Sequence, residues 1–320
     1  MFENLVSRDK KRVHIPTSGQ CNNNCLFCCD RNQYGHIKLC TRFFSLYGSF
    51  WLTLKGFIKE SKKIKYIHSI LFTGGEPSLN KSLISFIKSA NKSGYRNIGL
   101  QTNGRLLIYK NFCNELIENG LNEINISIHG SNKKIHDALT RSPGSFEEAY
   151  SGLSNMVSLK ERYKFKINTN FTITRINYKD IYNYLRMIFL FNNAIDGVVL
   201  NTLMYTGNAK RFFNQLFVSY TDIAVEIKKA IDNLGKEKIE IRYRIQLSPM
   251  PFCLMLGYEN YVGIFEEPLQ IRNKAAEILP RDVVNVKCKE CKLCKYYHSC
   301  SGIDSVYAKK TGWSEFKPVR

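Results

Sequence analysis

The residues best placed to do chemistry are Cys21, Cys25 and Cys28, in the run Cys21-Asn-Asn-Asn-Cys25-Leu-Phe27-Cys28. Thiolates are the soft ligands that iron in a sulfide cluster prefers, and a four-iron cluster normally takes four of them. Three close cysteines with no evident fourth leave one iron open to a chelating small molecule. Cys29 follows directly and competes for the third place. A second group stands near the C-terminus: Cys288, Cys291, Cys294 and Cys300, with Cys253 upstream in PMPFC. The chain has 320 residues and eleven cysteines, and its start, MFENLVSRDKKRVHIP, lacks the apolar core of a signal peptide. Clustered cysteines in such a chain read as ligands in a reducing cytoplasm rather than as disulfides. Cys40 and Cys113 lie apart and read as ordinary buried thiols.

Other candidates punctuate the chain between these groups. In Gly74-Gly75-Glu76-Pro77 the glycines let backbone approach a ligand closely. The exposed carbonyls there and the Glu76 carboxylate can accept hydrogen bonds from an ammonium group. Asn103 in QTNG, Ser127 in SIHG and Arg141 in LTRSPGSF offer further polar contacts, and a guanidinium can make a paired contact with a carboxylate. Taken singly, each also reads as a turn, cap or surface residue. Thr174 is either ligand-facing or strand-terminal. His129 and His136, near a strand end, read as structural rather than as acid–base groups.

The elements that must position these residues alternate in type. Short β-rich runs stand at 13–18, 69–72, 97–102, 123–129, 166–174, 196–204 and 239–245. Helical spacing runs over 79–93, 107–119, 145–160, 178–191 and 220–234. Ser145 with Glu148 predicts a capping box. Strands alternating with helices imply βαβ units and a parallel sheet. Six such units predict an open or partial (β/α)6 barrel, an α/β fold in which functional groups gather at the strand C-terminal ends. The cysteine run, Gly74-Gly75-Glu76, Asn103 and Ser127 all fall at such ends. An aromatic-rich connection of about forty residues follows Cys28. After residue 246 the alternation fails, and a proline- and cysteine-rich tail reads as a small domain. The expected boundaries are therefore 1–246 and 247–320.

With its aromatic Phe27 before the third cysteine, the Cys21–Cys28 run resembles the radical S-adenosylmethionine (SAM) superfamily. The resemblance implies a [4Fe–4S] cluster held by Cys21, Cys25 and Cys28 rather than Cys29. Its open iron would chelate the SAM amino and carboxylate groups, and reductive S–C cleavage would release a 5′-deoxyadenosyl radical. It implies that Phe27 packs near the adenine, that Gly74, Gly75 and Glu76 form the family's GGE motif, and that Asn103, Ser127 and Arg141 are further SAM contacts. The tail spacing CxxCx5C resembles the SPASM and Twitch groups, which implies an auxiliary [4Fe–4S] cluster on Cys253, Cys291, Cys294 and Cys300. Cys288 is an alternative to Cys253, and zinc ribbons also use CxxC pairs.

Proteins with such tails often modify peptides or proteins, and the C-terminal region also resembles maturases of His-Xaa-Ser peptide systems. A peptide or protein substrate is therefore expected, with a reducing partner such as flavodoxin or ferredoxin. The alternatives are a GTP-cyclase-like cofactor enzyme, an RNA-modifying enzyme and a structural zinc or cluster protein. Wider cysteine spacing and a Gly-Gly end in the GTP cyclases count against the first. Net charge is +20, from 47 basic and 27 acidic residues. The basic residues are scattered rather than clustered, which argues against nucleic acid and for nothing more than a soluble, basic surface. No run approaches the ~18 apolar residues that would span a bilayer.

Overall fold

The computed structural model describes residues 12–28, 68–241, 244–263, 269–271, 278–280 and 285–320. The aromatic-rich connection after Cys28, with Cys29 and Cys40, lies outside the described residues.

The strands are β1 (Arg12–Ser18), β2 (Ser69–Gly74), β3 (Asn97–Thr102), β4 (Glu123–Ser127), β5 (Lys166–Thr172), β6 (Gly197–Asn201) and β7 (Ile245–Ser248). Between and after them come α1 (Leu83–Lys92), α2 (Lys110–Glu118), α3 (Lys133–Thr140), α4 (Ser145–Leu159) and α5 (Ile181–Phe189). Short α6 (Gly207–Arg211) and α7 (Phe213–Leu216) precede the long α8 (Tyr220–Lys236). The first seven strands pair in chain order, each parallel to the next. This is the expected partial barrel, one strand longer than six units.

Two residues set the ends of the helices nearest the site. The Asn132 side chain accepts from Ile135 N at 3.2 Å and opens α3. Arg141 closes it in the left-handed region at φ 53°. Along β5 exposure alternates as period two demands. Ile167, Thr169 and Phe171 are buried, while Asn168, Asn170 and Thr172 are half-buried on the opposite face. The buried face meets the helices: Tyr184 of α5 donates its hydroxyl to Thr169 at 2.9 Å, and its ring lies 4.4 Å from that of Phe171. The core thus lies between sheet and helices, and the other face is left as the concave wall.

Two sequence expectations need correction. The strand expected over 239–245 begins instead at Ile245 and runs to Ser248. Ser145 and Glu148 make no capping box. Gly144 occupies the cap, and Asp137 accepts from Gly144 N, Phe146 N and the Ser145 hydroxyl at 2.8 to 2.9 Å. Glu148 is thereby left to pair with Arg105. The tail also returns to the main sheet: β8 (Leu269–Ile271) pairs parallel with β1, and β9 (Ile278–Pro280) antiparallel with β8. The last elements are β10 (Asn285–Val286), β11 (Ile303–Asp304) and α9 (Ser305–Thr311).

Candidate functional site at the strand ends

β1 delivers the chain into the cysteine loop at the C-terminal mouth of the sheet, where three neighbours hold the loop by its backbone. Gly75 N donates to Ser18 O at 2.7 Å and Glu76 N to Gln20 O at 2.6 Å. Asn24 N and Leu26 N donate to Thr140 O and Leu139 O of α3, both at 2.9 Å. Asn208 closes the far side: its N–H donates to Cys28 O and its carboxamide to Cys25 O, both at 2.9 Å. Cys21, Cys25 and Cys28 are each half-buried on this tethered loop.

The glycines of GGE admit a close approach by the chain's own backbone. A Cβ on Gly74 would stand 2.5 Å from Ser18 O, and one on Gly75 would stand 2.2 Å from Gln20 O. The backbone that needs this space is the chain's own cysteine loop. Gly74 is also at φ +132°, where L side chains are strained. Glu76 is buried and already accepts four bonds. Ser78 Oγ and Thr102 Oγ1 donate at 2.6 Å, Asn103 N at 2.7 Å and Ser78 N at 3.0 Å. Burial pushes its pKa up by more than these donors pull it down. The carboxylate therefore ties the turn after β2 to the end of β3.

Asn103 reaches the loop directly, donating to Asn22 Oδ1 at 2.7 Å and approaching Cys21 Sγ at 3.9 Å. Ser127 is half-buried at the end of β4, in register with Asn170. Phe27 is half-buried, its ring edge-on to His129 with centroids 4.6 Å apart. Arg141 is exposed, with its guanidinium 5.8 Å from the Phe212 ring centroid.

Two residues that hold the loop escaped the sequence reading. The Arg105 guanidinium pairs with Glu148 and donates to Asn22 O and, at 3.1 Å, to Asn23 Oδ1. The signal for it was a charged residue at a strand-end turn, which most often faces solvent. Asn208 follows the sixth strand in TGNA, a context like any other turn. The two histidines are tied to the backbone around them. Thr172 N donates to His129 Nδ1 at 3.1 Å and His129 N to His136 Nδ1 at 3.0 Å. Burial lowers the His129 pKa well below its ordinary value and brings that of His136 to about 4. Both are therefore neutral at physiological pH, with the proton on Nε2. The buried His136 Nε2 has no partner among the described residues.

The tail builds a second thiol site. Cys253, Cys291, Cys294 and Cys300 line one apolar cavity, walled by Phe252, Tyr296, Trp313 and Phe316. Gly302 N donates to Cys300 Sγ and Val319 N to Cys294 Sγ, both at 3.4 Å. Such N–H donors to sulfur favour the thiolate that a metal needs. Burial pushes the Cys253 thiol up to about 11, and the nearby Cys300 and Cys294 push it in the same direction. Cys288 is buried outside this lining, its Sγ 3.0 Å from that of Cys291. The tail is pinned to the barrel where Tyr205 N donates to Asp304 Oδ2 at 3.1 Å, on the same stretch that carries Asn208.

Among the described residues no group of three His, Cys, Asp or Glu is gathered closely enough for a single metal ion. Three thiols on a tethered loop and four around an apolar cavity are the soft donor sets that iron–sulfur clusters take.

A profile of the Radical SAM superfamily matches residues 15–188. Among curated proteins, a probable GTP 3′,8-cyclase of Saccharolobus islandicus is 24% identical over 182 residues, covering 56% of this chain and 53% of that protein. The chain thus spans about half the length of the curated relatives it matches. Among solved structures, native anSMEcpe with bound AdoMet aligns with TM-score 0.62 and 17% identity over 91% of this chain and 88% of its own. Streptococcus suis SuiB aligns with TM-score 0.54 and 14% identity over 72% and 47%. These likenesses show the fold, and no described helix is long and apolar enough to cross a membrane. With the profile covering more than half of its residues, the chain belongs to the radical SAM superfamily.

Proposed function

We propose that this radical SAM protein modifies a peptide or protein, using a [4Fe–4S] cluster on Cys21, Cys25 and Cys28 and a second [4Fe–4S] cluster on Cys253, Cys291, Cys294 and Cys300. The observation that carries the second half is the convergence of those four thiols on one cavity, with Cys288 outside it. When bound, the first cluster and SAM would supply a hydrogen-abstracting 5′-deoxyadenosyl radical.

The protein's own residues hold and orient. Arg105, Asn103 and Asn208 fix the cysteine loop from three sides. Glu76 fixes the GGE turn, whose carbonyls are left to take the SAM ammonium. Phe27, braced by His129, flanks the adenine. Ser127 and Arg141 complete the SAM contacts, Arg141 from the rim. Residues 1–246 form the catalytic part and 247–320 the auxiliary part. An external carrier such as flavodoxin or ferredoxin supplies the electron.

The peptide reading draws support from the solved relatives. One is described as SuiB bound to precursor peptide SuiA and another as anSMEcpe with AdoMet and a peptide, the latter aligning with 91% of this chain. The curated relatives favour a second reading, chemistry on GTP. Anaerobic reconstitution followed by assay of 5′-deoxyadenosine with GTP and with peptides separates the two. Stimulation by GTP alone would overturn the peptide reading.

A further inference from the structure

The concave face of the sheet carries a ladder of side-chain amides. The register places Gln101 beside Asn125 and Asn125 beside Asn168. One level higher, Asn170 and Gln246 flank Val199. Above them Asn201 lies between Thr172 and Ser248. From the first level to the third is four residues of strand, about 13 Å at ~3.3 Å per residue. That is the length of roughly four extended peptide residues.

In the lowest level Asn168 Nδ2 donates to Asn125 Oδ1 at 3.0 Å, and Gln101 stands outside that pair. The side chains of Gln101, Asn170, Asn201 and Gln246 have no hydrogen-bond partner in the described structure, yet they are not among its buried orphans. Their polar ends keep access to solvent on this face, with the Gln246 carboxamide set close to Gly263.

The charge on this face is confined to its base. Arg12 grips Glu123 with two bonds, of 3.0 and 2.6 Å, and Lys166 is in register with Glu123. Above that level β1–β7 present no Lys or Arg on the concave face among the described residues. A polyphosphate entering the lumen would have to shed water with no guanidinium or ammonium there to pair it. A carboxamide carries a donor and an acceptor side by side, as a peptide group does, and can pair with it both ways.

We infer that this amide ladder is the substrate-binding wall, and that it takes an uncharged, polar peptide segment in extended form. The inference rests on the peptide reading above and narrows it to the composition of the segment that enters the barrel.

The test uses the full chain, reconstituted anaerobically with iron, sulfide and SAM. The probes are three: labelled synthetic peptide pools rich in Asn, Gln, Ser, Thr and Gly; matched pools with Asp, Glu, Lys or Arg at alternate positions; and GTP. The neutral pool should bind at least about tenfold more tightly than the charged pools or GTP. Asn170→Leu and Gln246→Leu should each weaken it by about tenfold, the effect of one or two lost hydrogen bonds in a closed site. Iron content and SAM binding should be unchanged in both variants, which separates a lost contact from a lost fold. Charged pools binding as well as the neutral one, or Leu variants that bind normally, would overturn the ladder while leaving the peptide reading intact. GTP binding more tightly than every pool would overturn the peptide reading itself.

Discussion

Replacing Gly75 by alanine tests the claim that GGE first serves the cysteine loop. The added Cβ would stand 2.2 Å from Gln20 O and 2.8 Å from Gln20 C, both backbone atoms. Ordinary contact begins near 3.4 Å, so the two segments must part by about 1 Å at the tightest point. Overpacking of this kind costs roughly 1–3 kcal/mol. Parting also stretches the bonds from Gly75 N to Ser18 O and from Glu76 N to Gln20 O, each worth about 1 kcal/mol. The sum is about 3–5 kcal/mol, a large share of a typical domain's stability. Urea denaturation of the apoprotein, followed by circular dichroism, reads the loss. Iron content after reconstitution reads the displaced loop, and should fall by the share belonging to Cys21, Cys25 and Cys28. Gly235→Ala in α8 is the control, since nothing lies within 4 Å of its Cβ, and it should stabilise by up to about 1 kcal/mol. A Gly75→Ala protein with unchanged stability and full iron would refute the reasoning.

Three further outcomes follow from the site. His136 has a folded pKa of about 4 against an unfolded value of about 6.5. Between those values the unfolded chain binds more protons, so stability falls as pH is lowered from neutral and the loss levels off below about 4. At pH 5 it amounts to about 2 kcal/mol from this residue, and His136→Gln should flatten the dependence of the urea midpoint on pH. Cys300→Ser should lose the tail cluster, whereas Cys288→Ser should keep it, as read by iron content and electron paramagnetic resonance. Arg105→Met leaves Asn22 O and Glu148 without their shared donor and should cost about 1–3 kcal/mol in urea denaturation, with weaker cluster retention. A midpoint like that of the parent would contradict this role.

Much of the fold was legible because strand and helix periods alternate cleanly from Ser69 to Leu234. β3 was found at its expected ends, since Asn103-Gly104 and a charged turn bound it sharply. The strand expected at 239–245 was misplaced because Ile239 and Ile241 alternate as a strand does and Ile241 is buried like Ile245 and Leu247, whereas parallel pairing with β6 begins only at Ile245. Pairing of the tail with β1 could not be read locally, because a three-residue strand carries no periodicity. The cysteines were legible by spacing. Arg105 and Asn208 were not, because what marks them is a partner 82 to 183 residues away. Glu76 was legible as a site residue but not as a carboxylate already occupied by four donors.

The most direct test of the central claim is anaerobic reconstitution of the parent chain beside a variant with Cys21, Cys25 and Cys28 all changed to Ala. The parent should bind about eight irons as two four-iron clusters and, once reduced, release 5′-deoxyadenosine from SAM. The variant should keep about four irons and release none. A parent that holds zinc in its tail and leaves SAM intact would contradict the account.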